Sequence, residues 1–298
     1  MSVPIVETFL QDVIYETKIG DVPDFFSVMN RIIKELAKER QWRYYITDST
    51  ISVLALYDTG TVAITEGSGT VTGTGTTFTS AMVGRKFRAS NGQGIYDITG
   101  YTSATSITIS PVWPYDDITG NSFQIYQDTY DFPTDLMYLI DIKDAVTERP
   151  LDPQEYFETL RRWESFVYTE QSAIPPGFAW PWEYAQFGWN STTKTYQVVV
   201  NAVADAVRTL DVIYRRWPTS VTKITDYPDI PEYLEEVLRL RLFKHFVRRR
   251  NVNNEVELAD RRQRLQEWMG EEAVALYTAK TADGMLIVPY LRNRRVLV

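Results

Sequence analysis

The feature that most constrains this chain is an abrupt change of texture after Tyr57. Residues 60–127 hold 10 of the 15 glycines and 13 threonines, but only 7 charged residues. Strand-like runs at 61–65, 69–72, 86–89, 95–99, 106–109 and 122–127 alternate with turn signals such as Asn91-Gly92 and Gly120-Asn121. β-Branched and aromatic residues favour the pleated surface, and Asn-Gly pairs supply the positive φ of tight hairpins. No helix-period segment interrupts the block. The pattern predicts a small antiparallel sandwich or barrel. A compact β unit with close termini is readily inserted into another fold, so residues 58–127 read as an inserted module.

The flanks read differently. Phe25, Phe26, Met29, Ile32, Ile33 and Leu36 recur at the three-and-four spacing of one helix face, with Lys34, Glu35, Lys38 and Glu39 opposite. Gly20-Asp21 and Pro23 are start signals for that helix. Residues 3–15 fit a short helix or an extended arm. After the module, residues 136–142, 183–189, 196–200 and 209–215 read as strands. A helix is expected at 154–166, and an aromatic, proline-rich loop at 174–182. The connections look short, which favours an antiparallel sheet. A long helix begins at Pro231, with Glu232, Glu235 and Glu236 early and Arg248, Arg249 and Arg250 at its end. Acid first and base last complements the helix dipole. Its apolar residues cover more than one stripe, which predicts burial on two sides. A second helix runs over 255–268 and could continue past Gly270 to Thr278.

The expected fold class is therefore α+β: a helical bundle with an antiparallel sheet and an inserted all-β module, sandwich or barrel-like. The expected divisions are an N-terminal helical part at 1–57, the module at 58–127, the rest of the body at 128–284 and an extended C-terminal arm at 285–298.

Composition excludes several chemistries. The chain has 298 residues, no cysteine, one histidine and a net charge of −8. It can form no disulfide, thiolate nucleophile or iron–sulfur cluster, and one chain cannot assemble a His-rich metal site. No cofactor is expected. No apolar run reaches the roughly 18–20 residues that cross a bilayer. MSVPIVETFL lacks a basic segment followed by an apolar one, so no signal peptide and no membrane partner are expected. An acidic chain is a poor general binder of nucleic acid.

Each motif with a chemical reading also has a plainer one. Asp58-Thr59-Gly60 occurs in aspartic proteases, which need two such carboxylates; one copy fits a turn. Gly67-Ser68-Gly69 and Gly73-Thr74-Gly75 superficially resemble phosphate loops, but strands rather than a helix follow. His245 lacks the Gly-x-Ser-x-Gly elbow of a hydrolase triad. Asp116-Asp117 and Glu271-Glu272 are adjacent in sequence, which does not make a glycosidase pair. Asn190-Ser191-Thr192 is a glycosylation sequon without a secretory context. Trp180, Trp182, Tyr184, Phe187 and Trp189 could form a sugar platform or packed contact surface. Arg248–Arg250 and Arg261-Arg262-Gln263-Arg264 could touch DNA. Residues 232–268 nevertheless hold 9 Lys/Arg against 7 Asp/Glu, so helix capping and subunit contacts are the stronger reading.

A more specific pattern comes from three segments in order. Tyr130-Asp131-Phe132-Pro133-Thr134-Asp135-Leu136 is followed by Tyr214-Arg215-Arg216-Trp217-Pro218. Then Asp226-Tyr227-Pro228-Asp229-Ile230-Pro231-Glu232 leads into the long helix. These resemble the Tyr-x-Leu-Pro-x-Asp, Tyr-Arg-Arg-x-Pro and Asp-x-Pro-x-Ile/Leu-Pro-Glu segments of tailed-bacteriophage head-to-tail connector proteins, also called adaptors or neck proteins. Phe132 stands where Leu is usual. The resemblance spans about residues 128–280 and brings no catalytic residue, so it implies no enzyme.

It implies instead a virion structural subunit, located in the neck and assembled in the host bacterial cytoplasm. Such subunits form rings, commonly dodecamers, beneath the portal. They join capsid to tail and line the DNA exit channel. The implied partners are further copies, the portal protein, a tail or nozzle protein, fibres, and passing DNA without sequence specificity. A ring needs two different faces on each subunit. Leu234, Val237, Leu238, Leu242, Phe246 and Trp268 are the expected ring interface. Leu286, Ile287, Val288, Tyr290, Leu291, Arg292, Arg294 and Arg295 form the expected portal-contacting arm. The alternative is a carbohydrate-binding virion protein of the tail or fibres.

Overall fold

The computed structural model describes residues 5–18, 22, 24–89, 94–153, 183–200, 206–249 and 255–285. The chain is α+β and divides into two compact units, residues 1–47 with 215–298, and residues 48–214.

The first unit is helical. Its described helices are α1 (Val6–Thr17), α2 (Phe25–Glu39), α3 (Glu235–Arg249) and α4 (Glu255–Met285). α3 packs on α1, α2 and α4, which explains why its apolar residues exceed one stripe. Phe25 stacks on Phe246 at 5.9 Å, and Phe243 meets Trp268 at 5.4 Å. The residues read as helix or arm near the N-terminus are helical in α1. The backbone amides of Val6 and Glu7 donate to the carbonyls of Asp226 and Ile224, at 2.9 and 2.8 Å. These two bonds satisfy amides that a helix start leaves unpaired. α4 runs through Gly270 to Met285, so the first residue of the expected arm ends a helix. Residues 286–298, and all eight expected portal-contacting side chains, lie outside the described residues.

The second unit is built of sheets. β1 (Ile46–Val53), β14 (Arg208–Arg216) and β10 (Leu136–Asp144) form one, in that order. A second has the order β11 (Asp152–Pro153), β12 (Glu183–Asn190), β13 (Thr195–Val200), β9 (Thr129–Asp131). The two sheets share a core that includes Val53, Tyr130, Phe132, Ile142, Val198, Leu210 and Val212. The β11–β12 pair is parallel, with Asp152 opposite Glu183. This corrects the expectation of a wholly antiparallel sheet. Residues 154–182 provide the long crossover that a parallel pair requires. The expected helix at 154–166 and loop at 174–182 lie outside the described residues.

The Thr/Gly-rich block forms a seven-stranded antiparallel sheet of order β7-β2-β3-β6-β5-β4-β8. Its strands are β2 (Thr61–Ile64), β3 (Thr70–Thr74), β4 (Lys86–Ala89), β5 (Tyr96–Ser103), β6 (Ser106–Ser110), β7 (Ile118–Asn121) and β8 (Phe123–Tyr126). A flat sheet of this order would hold its edges about 30 Å apart. The edge strands β7 and β8 are instead joined through Ser122 alone, so the sheet curls until its edges are neighbours. Curling encloses a core of Phe78, Phe87, Ile98, Ile107, Trp113, Phe123 and Ile125. Tyr57 closes on β8 through two backbone bonds to Ile125, at 2.9 and 2.8 Å. β7 replaces the turn expected at Gly120-Asn121, because pairing with β2 outweighs local turn preference. Asn91-Gly92 lies outside the described residues. Two glycines are required by packing. Gly60 has φ +93°, and a Cβ there would lie 2.6 Å from the Thr74 carbonyl; at Gly73 it would lie 2.2 Å from Thr76 Oγ1.

Candidate interaction surface

The three segments that carry the family resemblance supply the main polar ties of the fold. Side chains alternate in direction along β14, so its end distributes three long polar side chains to different partners. The Tyr214 hydroxyl donates to Asp135 Oδ1 at 2.9 Å, joining the second segment to the first. The buried Arg215 guanidinium donates to the carbonyls of Ala37 and Arg40, at 2.7 and 2.8 Å. It thereby caps the C-terminal end of α2, where carbonyls lack helical partners and a cation is favoured. Trp42 Nε1 adds a 2.6 Å bond to the Leu36 carbonyl.

Arg216 joins the second segment to the third. It forks onto Asp229, with Nη2 2.9 Å from Oδ1 and Nη1 bonded to Oδ2. Asp229 also accepts from the Thr219 amide at 2.7 Å and the Tyr44 hydroxyl at 3.1 Å. Burial pushes the Asp229 carboxyl up, but the bonds from Arg216 and Thr219 outweigh it and hold it below the ordinary range. Burial and the Asp229 charge push Tyr45 strongly the other way. Tyr130, in the first segment, is pushed up to about 12, chiefly by burial. Its hydroxyl donates to the Gln127 carbonyl at 2.9 Å and accepts from the Leu54 amide at 3.2 Å. A cluster of pinned carboxylates and undissociated phenols fixes geometry and offers no proton near neutral pH.

A second network crosslinks the helices. Arg241 of α3 meets Glu39 of α2 at 2.6 Å and Glu272 of α4 at 2.7 Å, and Lys244 bonds to Glu272. Arg239 of α3 pairs with Asp12 of α1 and lies 2.7 Å from Glu235. Glu272 is therefore a bridging residue rather than half of a pair with Glu271, which is exposed.

The expected ring interface requires correction. Leu234, Val237, Leu238, Leu242, Phe246 and Trp268 all lie in the helical core of their own chain. The wide stripe of α3 is used against α1, α2 and α4, leaving none of these side chains for a neighbouring copy. Large apolar side chains remain exposed elsewhere. On α4 they include Met269, Val274 and Tyr277, and on β12 and β13 the Trp189–Tyr196 pair at 5.0 Å. Sequence reasoning missed the α4 set because it continued the helix beyond Gly270 without assigning it a face.

The other motifs take structural places. Asp58 is exposed after Tyr57. Gly67 and Ser68 form the β2–β3 turn, with Gly67 N donating to the Trp113 carbonyl at 2.7 Å. Gly73 and Thr74 belong to β3, and no helix follows them. Asp117 accepts from the Glu66 amide at 2.8 Å, and the Asp116 carbonyl from Trp113 Nε1 at 3.0 Å. Asn190 donates to Asp131 and accepts from the Thr192 and Thr193 amides. Tyr184 is buried; Trp180, Trp182 and the Phe187 side chain lie outside the described residues. His245 Nδ1 lies 3.1 Å from Arg31 Nη2, and Arg261 donates to the Arg248 carbonyl at 2.8 Å. That second bond brings the two basic clusters together. Burial, then the charges of Arg249, Arg31 and Arg248, lower the His245 pKa.

Among the described residues no group of three His, Cys, Asp or Glu side chains could hold a metal ion, and no helix is long and apolar enough to cross a membrane. No protein-family model matches the chain, and no curated protein matches it.

Proposed function

We propose that this chain is a head-to-tail adaptor of a tailed bacteriophage, a structural subunit that forms a ring beneath the portal. The observation that carries the reading is the linkage of the resembling segments, Asp135 to Tyr214 and Arg216 to Asp229. Residues that the resemblance singles out hold distant parts of the chain in place, as suits a subunit whose work is done by shape. In this reading the ring joins the portal to a tail or nozzle protein in the virion neck, and DNA passes without sequence-specific contact. The acidic net charge of −8 suits a path along which DNA does not adhere. The test is to assemble particles without the chain. Heads should lose DNA and fail to join tails; particles that keep their genome and carry tails would remove the reading. Deleting residues 286–298 should weaken binding to purified portal, and unchanged binding would dismiss the arm.

One observation favours a second reading, carbohydrate binding in the tail or fibres. Trp189 and Tyr196 are each about half exposed, at 51% and 53%, and their rings meet edge to face. Aromatic faces of this kind stack on sugars. Binding of the full chain to a glycan array, lost in Trp189→Ala, would support it; an array without signal would dismiss it.

A further inference from the structure

We infer that the outward face of α4 docks on the arginine-rich end of α2 and α3 in a second copy of the chain. The inference rests on the ring reading and assigns the two unlike faces that a closed ring requires.

The first face follows from helical geometry. Successive residues turn by about 100°. On that wheel Leu265, Trp268, Glu272, Leu276, Ala279 and Asp283 point toward the core. Met269, Ala273, Val274 and Tyr277 fall on the opposite side with Gly270. Met269 is 56% exposed, Val274 68% and Tyr277 74%. No charged residue falls within this arc between positions 266 and 278, and Glu267 and Glu271 border it. An uncharged strip carrying Met and Tyr, edged by acid, has the composition of an interface centre and rim. Gly270 sits in its middle, and a Cβ there would meet nothing within 4 Å. The chain's own packing therefore does not require this glycine, although it costs the helix about 1 kcal/mol relative to alanine.

The second face is the convergence of Arg31 from α2 with Arg248 and Arg249 from α3. His245 lies among them and borrows its hydrogen bond from Arg31. Arg248 and Arg249 form no ion pair among the described residues, and Arg31 is only 3.9 Å from Glu35 at an exposed site. Cations gathered in a chain of net charge −8 make the molecule complementary to itself. The overall negative field repels a polyanion such as DNA at long range, whereas the acid-edged strip of another copy presents local charge of the right sign. The contact is head-to-tail, because the two faces differ.

Charge exchange tests the pairing. Wild-type protein should assemble in a mass measurement of purified chain. R248E/R249E alone and E267R/E271R alone should each raise the concentration needed for assembly by at least about tenfold. An equal mixture should restore assembly, because each altered face then meets one of opposite sign. A further variant, Gly270→Gln, should raise the thermal stability of α4 and still weaken assembly, since it adds bulk only where a neighbour would sit. Wild-type protein that stays a single copy at every concentration overturns both this contact and the ring reading. Assembly by the wild type and equally by both charge-reversed forms overturns the contact alone. So does loss of duplex DNA binding in R248E/R249E with assembly intact, which would assign the arginines to DNA.

Discussion

The helical unit and the curled β module solve the same packing problem with different information. The helical core joins residues from the two ends of the chain: Phe25 stacks on Phe246, and Arg215 caps α2. The module's pairings are mostly short in sequence, as in β2 with β3 and β5 with β6. Helices are tied by long ionic side chains such as Arg241, because helix surfaces present side chains to one another. The module is tied by backbone ladders and tight turns, so it needs few charges and many glycines. A sheet can thus specify itself locally, while the helical core must wait for both chain ends, at a cost in loop entropy.

The largest test of this contrast is Phe246→Ala. It removes a ring that is 2% exposed and should cost about 4 kcal/mol. Hydrogen exchange should then rise across α1–α3 and stay slow in β2–β8; equal loss in both would break the comparison. Asp229→Asn comes next. It leaves the partly buried Arg216 without its carboxylate and should cost about 3 kcal/mol in urea unfolding. Because the folded Asp229 pKa lies below the model value of 3.8, its contribution is fully present above that value. It is lost as the pH falls through the folded pKa, so the variant should show a shallower acid limb than the wild type.

Within the module, Gly60→Ala forces a side chain onto a backbone at φ +93° and should cost about 2 kcal/mol, with faster exchange confined to the neighbouring strands. The smallest effect belongs to His245. Its lowered pKa means that the unfolded chain takes up the proton more readily, so stability should decline as the pH falls below 6.5. Arg31, Arg248 and Arg249 disfavour the proton and Glu35 favours it. Protonation also removes the lone pair that accepts from Arg31. His245→Gln should abolish this slope, and an unchanged slope would assign it to another group.

Much of this architecture is legible in the sequence because its signals are local. The period of Phe25 to Leu36 marks α2, and the Gly/Thr texture marks the module. The six apolar residues expected at a ring interface are legible as apolar, and all six are buried. Their partner is not legible, since amphipathicity states that a face must be covered and never by what. The ties Tyr214–Asp135 and Arg216–Asp229 are visible only as short motifs, because hydrogen-bond pairing across 79 or 13 positions leaves no periodic trace.

By itself, then, the sequence determined which segments are helix and which are strand, and where the chain changes from one texture to the other. Periodicity and turn chemistry act between near neighbours and are written in residue order. Only the tertiary structure decided that β7 and β8 meet around a curled sheet, that β11 and β12 run parallel, and that α3 is enclosed by three helices. Those outcomes depend on which distant surfaces exclude water together, and that competition is settled only when the whole chain packs.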